Sequence, residues 1–213
     1  MENINQTQEY AENIHVESLK NDSVFLQTLK EKEIKAISTQ DLIQLYDVLD
    51  NYLVLERKED QKTINKIYTA ILDKAIENLT QKLETNDFFS FEDEEEHLTL
   101  RAIYEYAIEH YSSNSFADAR ELFLMLSVMT KNNTFKGAMQ IHTVATIKKM
   151  PFDNFLNEFV DIEQINKIDQ SGDETKNSYF ILYFYDNANQ FLHENQELLI
   201  DAIQNSKSLN RQN

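Results

Sequence analysis

No cysteine occurs in this chain, which removes disulfides, thiol catalysis and sulfur-ligated zinc at a stroke and fits a reducing compartment. Proline is nearly absent as well, with Pro151 alone, and glycine is reduced to Gly137 and Gly172. Two glycines leave almost no punctuation for β-hairpins or sandwiches, so the expected class is all-α. They also rule out a glycine-rich phosphate loop. No run approaches the eighteen or so consecutive apolar residues of a membrane span, and the opening MENINQTQEY lacks the basic and apolar regions of a signal peptide. The cytoplasm is the expected compartment, and stable membrane insertion is not expected.

Acidic residues, by contrast, are in excess. A formal net charge of −17 sets the chain against a phosphate backbone or an anionic membrane surface, because it would approach either as a like charge. Nucleic acid is therefore not an expected partner. The same charge keeps a chain with apolar surfaces in solution. At 213 residues, 41% of them hydrophobic, the chain is long enough to bury a full core.

The most informative spacing lies between Leu98 and Met129. Tyr104, Ile108 and Tyr111 fall at i, i+4 and i+7, and Ile103 and Ala107 occupy the neighbouring side, so this helix is apolar on two faces. Ser112 to Ser115 interrupts it with small polar residues, and Asn114 is the non-glycine type that best tolerates a left-handed turn. A second stripe of Phe116, Ala119, Phe123 and Leu126 follows at once, its alanine small enough for two helix backbones to approach closely. An antiparallel αα-hairpin is predicted.

A small residue in each helix and aromatics placed around the turn resemble a tetratricopeptide unit, a repeat of roughly 34 residues that must stack to bury both its faces. The order Tyr104, Ala107, Tyr111, Phe116, Ala119, Phe123, Leu126 is similar to the first repeat of the tetratricopeptide-type (class II) chaperones of bacterial type III secretion systems. That resemblance implies an array of antiparallel helical hairpins. It also implies a groove holding a client protein, whether a translocator, another secreted protein or a component of a virulence or flagellar apparatus. The family's groove-lining positions correspond to Tyr104, Ile108, Tyr111 and Phe116. Two positions depart from the family: Ile108 stands for an aromatic and Asn114 for the usual glycine. In the family an N-terminal helical region serves dimerisation, which leaves a homodimer open here.

Four regions are expected along the chain. Residues 1–22, rich in Asn, Gln and Glu, read as a flexible tail, with a weak helix on Ile4, Tyr10, Ile14 and Val16 as the alternative. Residues 23–85 form an N-terminal helical region. In it Ser38 or Thr39 caps a helix bearing Leu42, Leu45, Tyr46, Leu49, Tyr52 and Leu53, and a long helix over 63–83 carries Ile64, Ile67, Ile71, Ala75 and Leu79. Residues 86–97 make an acidic linker whose charge also suits a helix start, with Phe88, Phe89 and Phe91 either docking into a groove or anchoring the linker. Residues 98–206 form the repeat-like domain. Phe135 to Lys149 reads as a helix ended by Pro151, and Phe152, Phe155, Leu156 and Phe159 as the stripe of the next. Phe152 follows Phe116 at close to one repeat period, but Phe155 stands where alanine is expected and should push its helices apart. Residues 169–177 read as a loop. The aromatic run 179–185 best fits a deeply buried helix, with a strand as the alternative.

No catalytic pattern emerges. His15, His97, His110, His142 and His193 show no metal-binding spacing, His110 is expected to be a structural histidine, and no nucleophile elbow exists. Binding without catalysis, metal or cofactor is the expectation. A chaperone with an aromatic groove stands first, and a scaffold or adaptor joining folded proteins stands second. A closed arrangement remains beside both, in which Tyr104, Tyr111 and Phe116 are covered by the chain's own 179–185 segment.

Overall fold

Aspartate and asparagine cap several of the helix starts, while others begin at Ser115, Pro151 and Tyr185 without a side-chain cap. In the computed structural model, which describes residues 16–171 and 179–209, Asp22, Asp41, Asp93 and Asn132 each stand in extended backbone and accept the first free N–H groups of the helix that follows. The bond from Phe135 N–H to Asn132 Oδ1, at 3.0 Å, is typical. The resulting helices are α1 (Ser23–Thr39), α2 (Leu42–Leu55), α3 (Gln61–Thr85), α4 (Glu94–Ser112), α5 (Phe116–Val128), α6 (Asn133–Ile147), α7 (Phe152–Phe159), α8 (Ile162–Ser171), α9 (Asp186–Glu194) and α10 (Gln196–Leu209). Among the described residues there is no named strand, and the class is all-α.

The chain divides into two compact units, residues 1–78 and 79–213. The division falls inside α3, ahead of the acidic stretch at 86–97. In the first unit α1 packs on α2, which buries Leu42, Leu45, Tyr46, Val48, Leu49, Tyr52 and Leu55. Leu53, expected in that stripe, is exposed. The α2 cap is Asp41 rather than Ser38 or Thr39: the Thr39 hydroxyl donates back to Lys35 O at 3.1 Å and so belongs to the end of α1. Between α1 and α2 a buried carboxylate, Glu33, accepts from the Tyr52 hydroxyl at 2.9 Å and pairs with Lys30 at 2.7 Å, which satisfies a charge that would otherwise be costly to bury. The expected tail 1–22 is helical again at 16–19, and its residues 1–15 lie outside the described residues.

The second unit is built around α6, which packs on α5, α9 and α10, while α4 packs on α5 and α7. Asn114 takes the left-handed conformation predicted for it, φ 63°, and the turn closes as Ser115 N–H bonds to His110 O at 2.8 Å. Gln40, Glu56, Asn86 and Lys149 hold the same left-handed conformation at other helix ends. The acidic stretch is shorter than expected, because Glu94, Glu95 and Glu96 already form the first turn of α4. Lys82, at the end of α3, bridges Asp87 and Glu96. Phe89 anchors the stretch: it is buried, and its N–H bonds to Met129 O at 2.8 Å.

Residues 179–185 are neither a buried helix nor a full strand. They bend at Tyr179 and Phe180 and then run without helix, with Phe184 paired antiparallel to Val160 in an isolated bridge, and helix resumes only at Asp186. The physical reason lies in α7. It stops at Phe159 because Val160 turns to extended backbone, φ −94° and ψ 126°. Asp161 N–H then reaches Tyr183 O at 3.0 Å, and Tyr185 N–H reaches Phe159 O at 2.9 Å. Main-chain groups offered from outside the segment thus settle a choice that local propensity leaves open. The predicted loop 169–177 is helical as far as Ser171, and the rest of it lies outside the described residues.

Candidate functional site

The four residues singled out in α4 and α5 do not share one environment. Tyr104 and Tyr111 are fully buried, whereas Ile108 and Phe116 are half-buried. The face of α4 that carries Tyr104 is occupied by the chain itself. The Tyr104 hydroxyl accepts a 3.0 Å hydrogen bond from Ile181 N–H, and its ring meets Phe180 edge-on at 5.2 Å. Tyr111 packs among Phe116, Phe123, Phe152 and Phe155. No open groove runs past these two tyrosines in this arrangement.

The segment that fills the face is held at several points. Phe180 is buried in a cage of Phe91, His97, Tyr104 and Phe135, with ring centroids 5.0 to 6.1 Å away. The Arg101 guanidinium, paired with Glu105 at 2.8 Å, lies 3.7 Å from the centroid of the Tyr179 ring. Phe184 sits against His142 and Phe155. Phe91 therefore closes the cage from the former linker, which settles the docking-or-anchoring alternative in favour of anchoring for Phe89 and Phe91. Phe88 stays exposed beside Lys131, on a cavity of about 360 Å³ shared with Ser90, Thr130 and Asn132.

His142 is the centre of this region, and the sequence reading overlooked it. It stacks on Phe123 at 4.6 Å and lies 4.7 Å from Phe155, with its Nε2 3.5 Å from the Tyr104 hydroxyl. Burial among aromatic rings pushes its pKa down to about 3, opposed in small part by the Ile181 main chain, so the imidazole is neutral at physiological pH. Burial likewise lowers His97, with a smaller contribution from the positive Arg101, and raises the Tyr104 and Tyr111 hydroxyls. The signal for His142 was present in the spacing Phe135, Met139, His142, which is i, i+4 and i+7 on the buried face of α6. His110, expected to be the structural histidine, is only half-buried, edge-on to Tyr106 at 4.5 Å and 3.8 Å from Asp118.

No charged nucleophile, acid or base stands in the cage, and among the described residues no three His, Asp or Glu side chains gather as a metal-holding group. What the arrangement offers is shape, aromatic edges and a few main-chain hydrogen bonds, the means by which a helical surface holds an extended chain. Fold and site together define an all-α protein of helical hairpins whose central aromatic slot is occupied by an extended stretch of its own chain. No family model, no curated protein and no solved structure matches the chain. Among the described residues no helix is long and apolar enough to cross a membrane.

Proposed function

We propose that this chain is a protein-binding chaperone of the type III secretion kind, acting in the cytoplasm. It would hold an extended apolar segment of an exported or membrane-destined client until handover. The observation that carries the reading is the seating of residues 179–185: an extended aromatic stretch lies along α4 and α7, held by main-chain hydrogen bonds at Asp161, Ile181 and Tyr185 and by the Phe180 cage. A helical surface that accepts its own extended segment in this way has the chemistry to accept a client's. The resemblance of residues 98–129 to the secretion chaperones supplies the kind of client, and the net charge of −17 keeps a chain handling apolar segments in solution.

A second reading, a scaffold or adaptor joining folded proteins, is favoured by the burial of Tyr104 and Tyr111, because a protein with a closed slot would meet its partners through outer surfaces. The two readings part in the native host. On deletion of the chain, a chaperone's co-purifying client is degraded or aggregates. An adaptor's partners stay soluble and at their normal level, and that result would end the chaperone reading.

A further inference from the structure

Seven residues, 179–185, fill the slot, yet Phe180 is the only one of them that is fully buried, and Tyr179 and Tyr185 are close to half exposed. The segment has no helical hydrogen bonds of its own to give up on leaving. It is attached through one buried aromatic, a second aromatic four residues on, the Tyr179 ring against the Arg101 guanidinium, two main-chain hydrogen bonds and the bond from Ile181 N–H to the Tyr104 hydroxyl. Each of those bonds is replaced by water on release, so each adds little net stability to the attachment. The fit also leaves polar capacity unused. Phe180 lies against His97 and Phe184 against His142, and among the described residues the buried ring nitrogens His97 Nε2 and His142 Nδ1 find no hydrogen-bond partner. Buried polar atoms are nearly always paired in a surface made for one occupant, so two unpaired beside the two anchors mark an imperfect one.

The geometry points to residues 179–185 as an internal placeholder. The slot along α4 and α7 is the binding site for an extended segment of another protein that carries aromatic side chains at its first and fifth positions, in the places of Phe180 and Phe184. Binding proceeds by exchange: the partner pairs with the main chain at Phe159 and Asp161, its two aromatics enter the cages, and the chain's own segment is released. This rests on the reading of the chain as a binder of client proteins and adds to it the chemistry of the client's segment and the element it displaces.

The absence of cysteine allows a direct test on the full-length protein. Val160 and Phe184 form a non-hydrogen-bonded antiparallel pair, the closely spaced kind, so Val160→Cys with Phe184→Cys can lock the segment in place by oxidation. The probe is a fluorescent peptide of residues 179–186 with a lysine tail, and its control has serine at both anchor positions. The reduced double variant should bind the peptide at least about tenfold more tightly than the oxidised one, with no binding of the control. In a second variant without any new bond, Phe180→Ala should keep a cooperative melt and bind the peptide about tenfold more tightly than wild type. Equal binding in both redox states, no binding by either variant, or loss of folding in Phe180→Ala would each show the segment to be core and overturn the proposal. A wild-type dimer that the peptide dissociates would overturn it too, by assigning the slot to a second copy. These readouts are independent of the deletion test: the chaperone reading fails if no client depends on the chain, whatever the peptide does.

Discussion

Two neighbouring hairpins, α4–α5 and α6–α7, start from similar material and end differently. In the first, Ala107 and Ala119 are both fully buried, and α5 runs thirteen residues to Val128. In the second, Phe155 stands where Ala119 stands in the first, and α7 stops after eight residues. Phe155 is fully buried all the same, among Tyr111, His142, Phe152, Phe159 and Phe184. One large side chain thus turns a close helix pair into an aromatic floor, and a second backbone, residues 179–185, lies over it. The difference teaches that a large residue between two helices can be a constructive feature: what the second hairpin loses in helix packing it offers as a place for an extended chain.

The sharpest way to break this comparison is Phe155→Ala, which makes the two hairpins alike. Removing a buried phenylalanine from a packed aromatic floor should lower the unfolding free energy by about 3–5 kcal/mol in urea melts. A loss below about 1 kcal/mol would mean that the helices close up as the first pair does.

The next effect is set by pH. His142 belongs to the second hairpin, and its folded pKa of about 3 lies below the ordinary 6.5. The unfolded chain therefore binds the proton more readily between those values. Stability should be full above pH ~6.5 and fall with acidification by up to about 1.4 kcal/mol per pH unit. Melts at pH 7 and pH 5 should show wild type losing about 2 kcal/mol more than His142→Gln. Equal losses would remove His142 as the source.

Tyr104→Phe sharpens the comparison further, because it keeps the ring in the first hairpin and deletes the hydroxyl's bond to Ile181 N–H together with its 3.5 Å contact to His142 Nε2. A cost of about 1–2 kcal/mol is expected, with faster amide exchange at Ile181 by NMR. The smallest effect is a gain. Gly137 lies inside α6, and a Cβ there would meet nothing within 4 Å, so Gly137→Ala should stabilise by about 0.5–1 kcal/mol in the same melts. A loss would show that the second hairpin, like the first, needs a small residue for close approach.

Much of the helical framework was legible in the sequence because it rests on local chemistry. Asn114 announced its left-handed turn, and the isoleucines of α3 their helix. The spacing leaves an open groove and a closed arrangement side by side: Tyr104 is covered by Phe180 and Ile181, as the closed arrangement has it, whereas Tyr111 is covered by Phe152 and Phe155 instead. Residues 179–185 carry enough aromatic and β-branched side chains to satisfy either periodicity, and their conformation is decided by Phe159, Val160 and Asp161, some twenty residues earlier in the chain. The same limit hid His142. A lone histidine in the α6 stripe reads as a chance interruption until the Phe123 ring is known to stack on it and the Phe155 ring to lie tilted against it.

The left-handed residues at the helix ends carry a consequence for how such a sequence can change. Gln40, Glu56, Asn86, Asn114 and Lys149 all hold positive φ with a side chain in place, a conformation costing an ordinary residue about 1 kcal/mol that glycine would not incur. None of these five is buried. A lineage that acquires a destabilising substitution in its aromatic floor can recover the deficit by exchanging one or two corner residues, leaving every packed surface as it was.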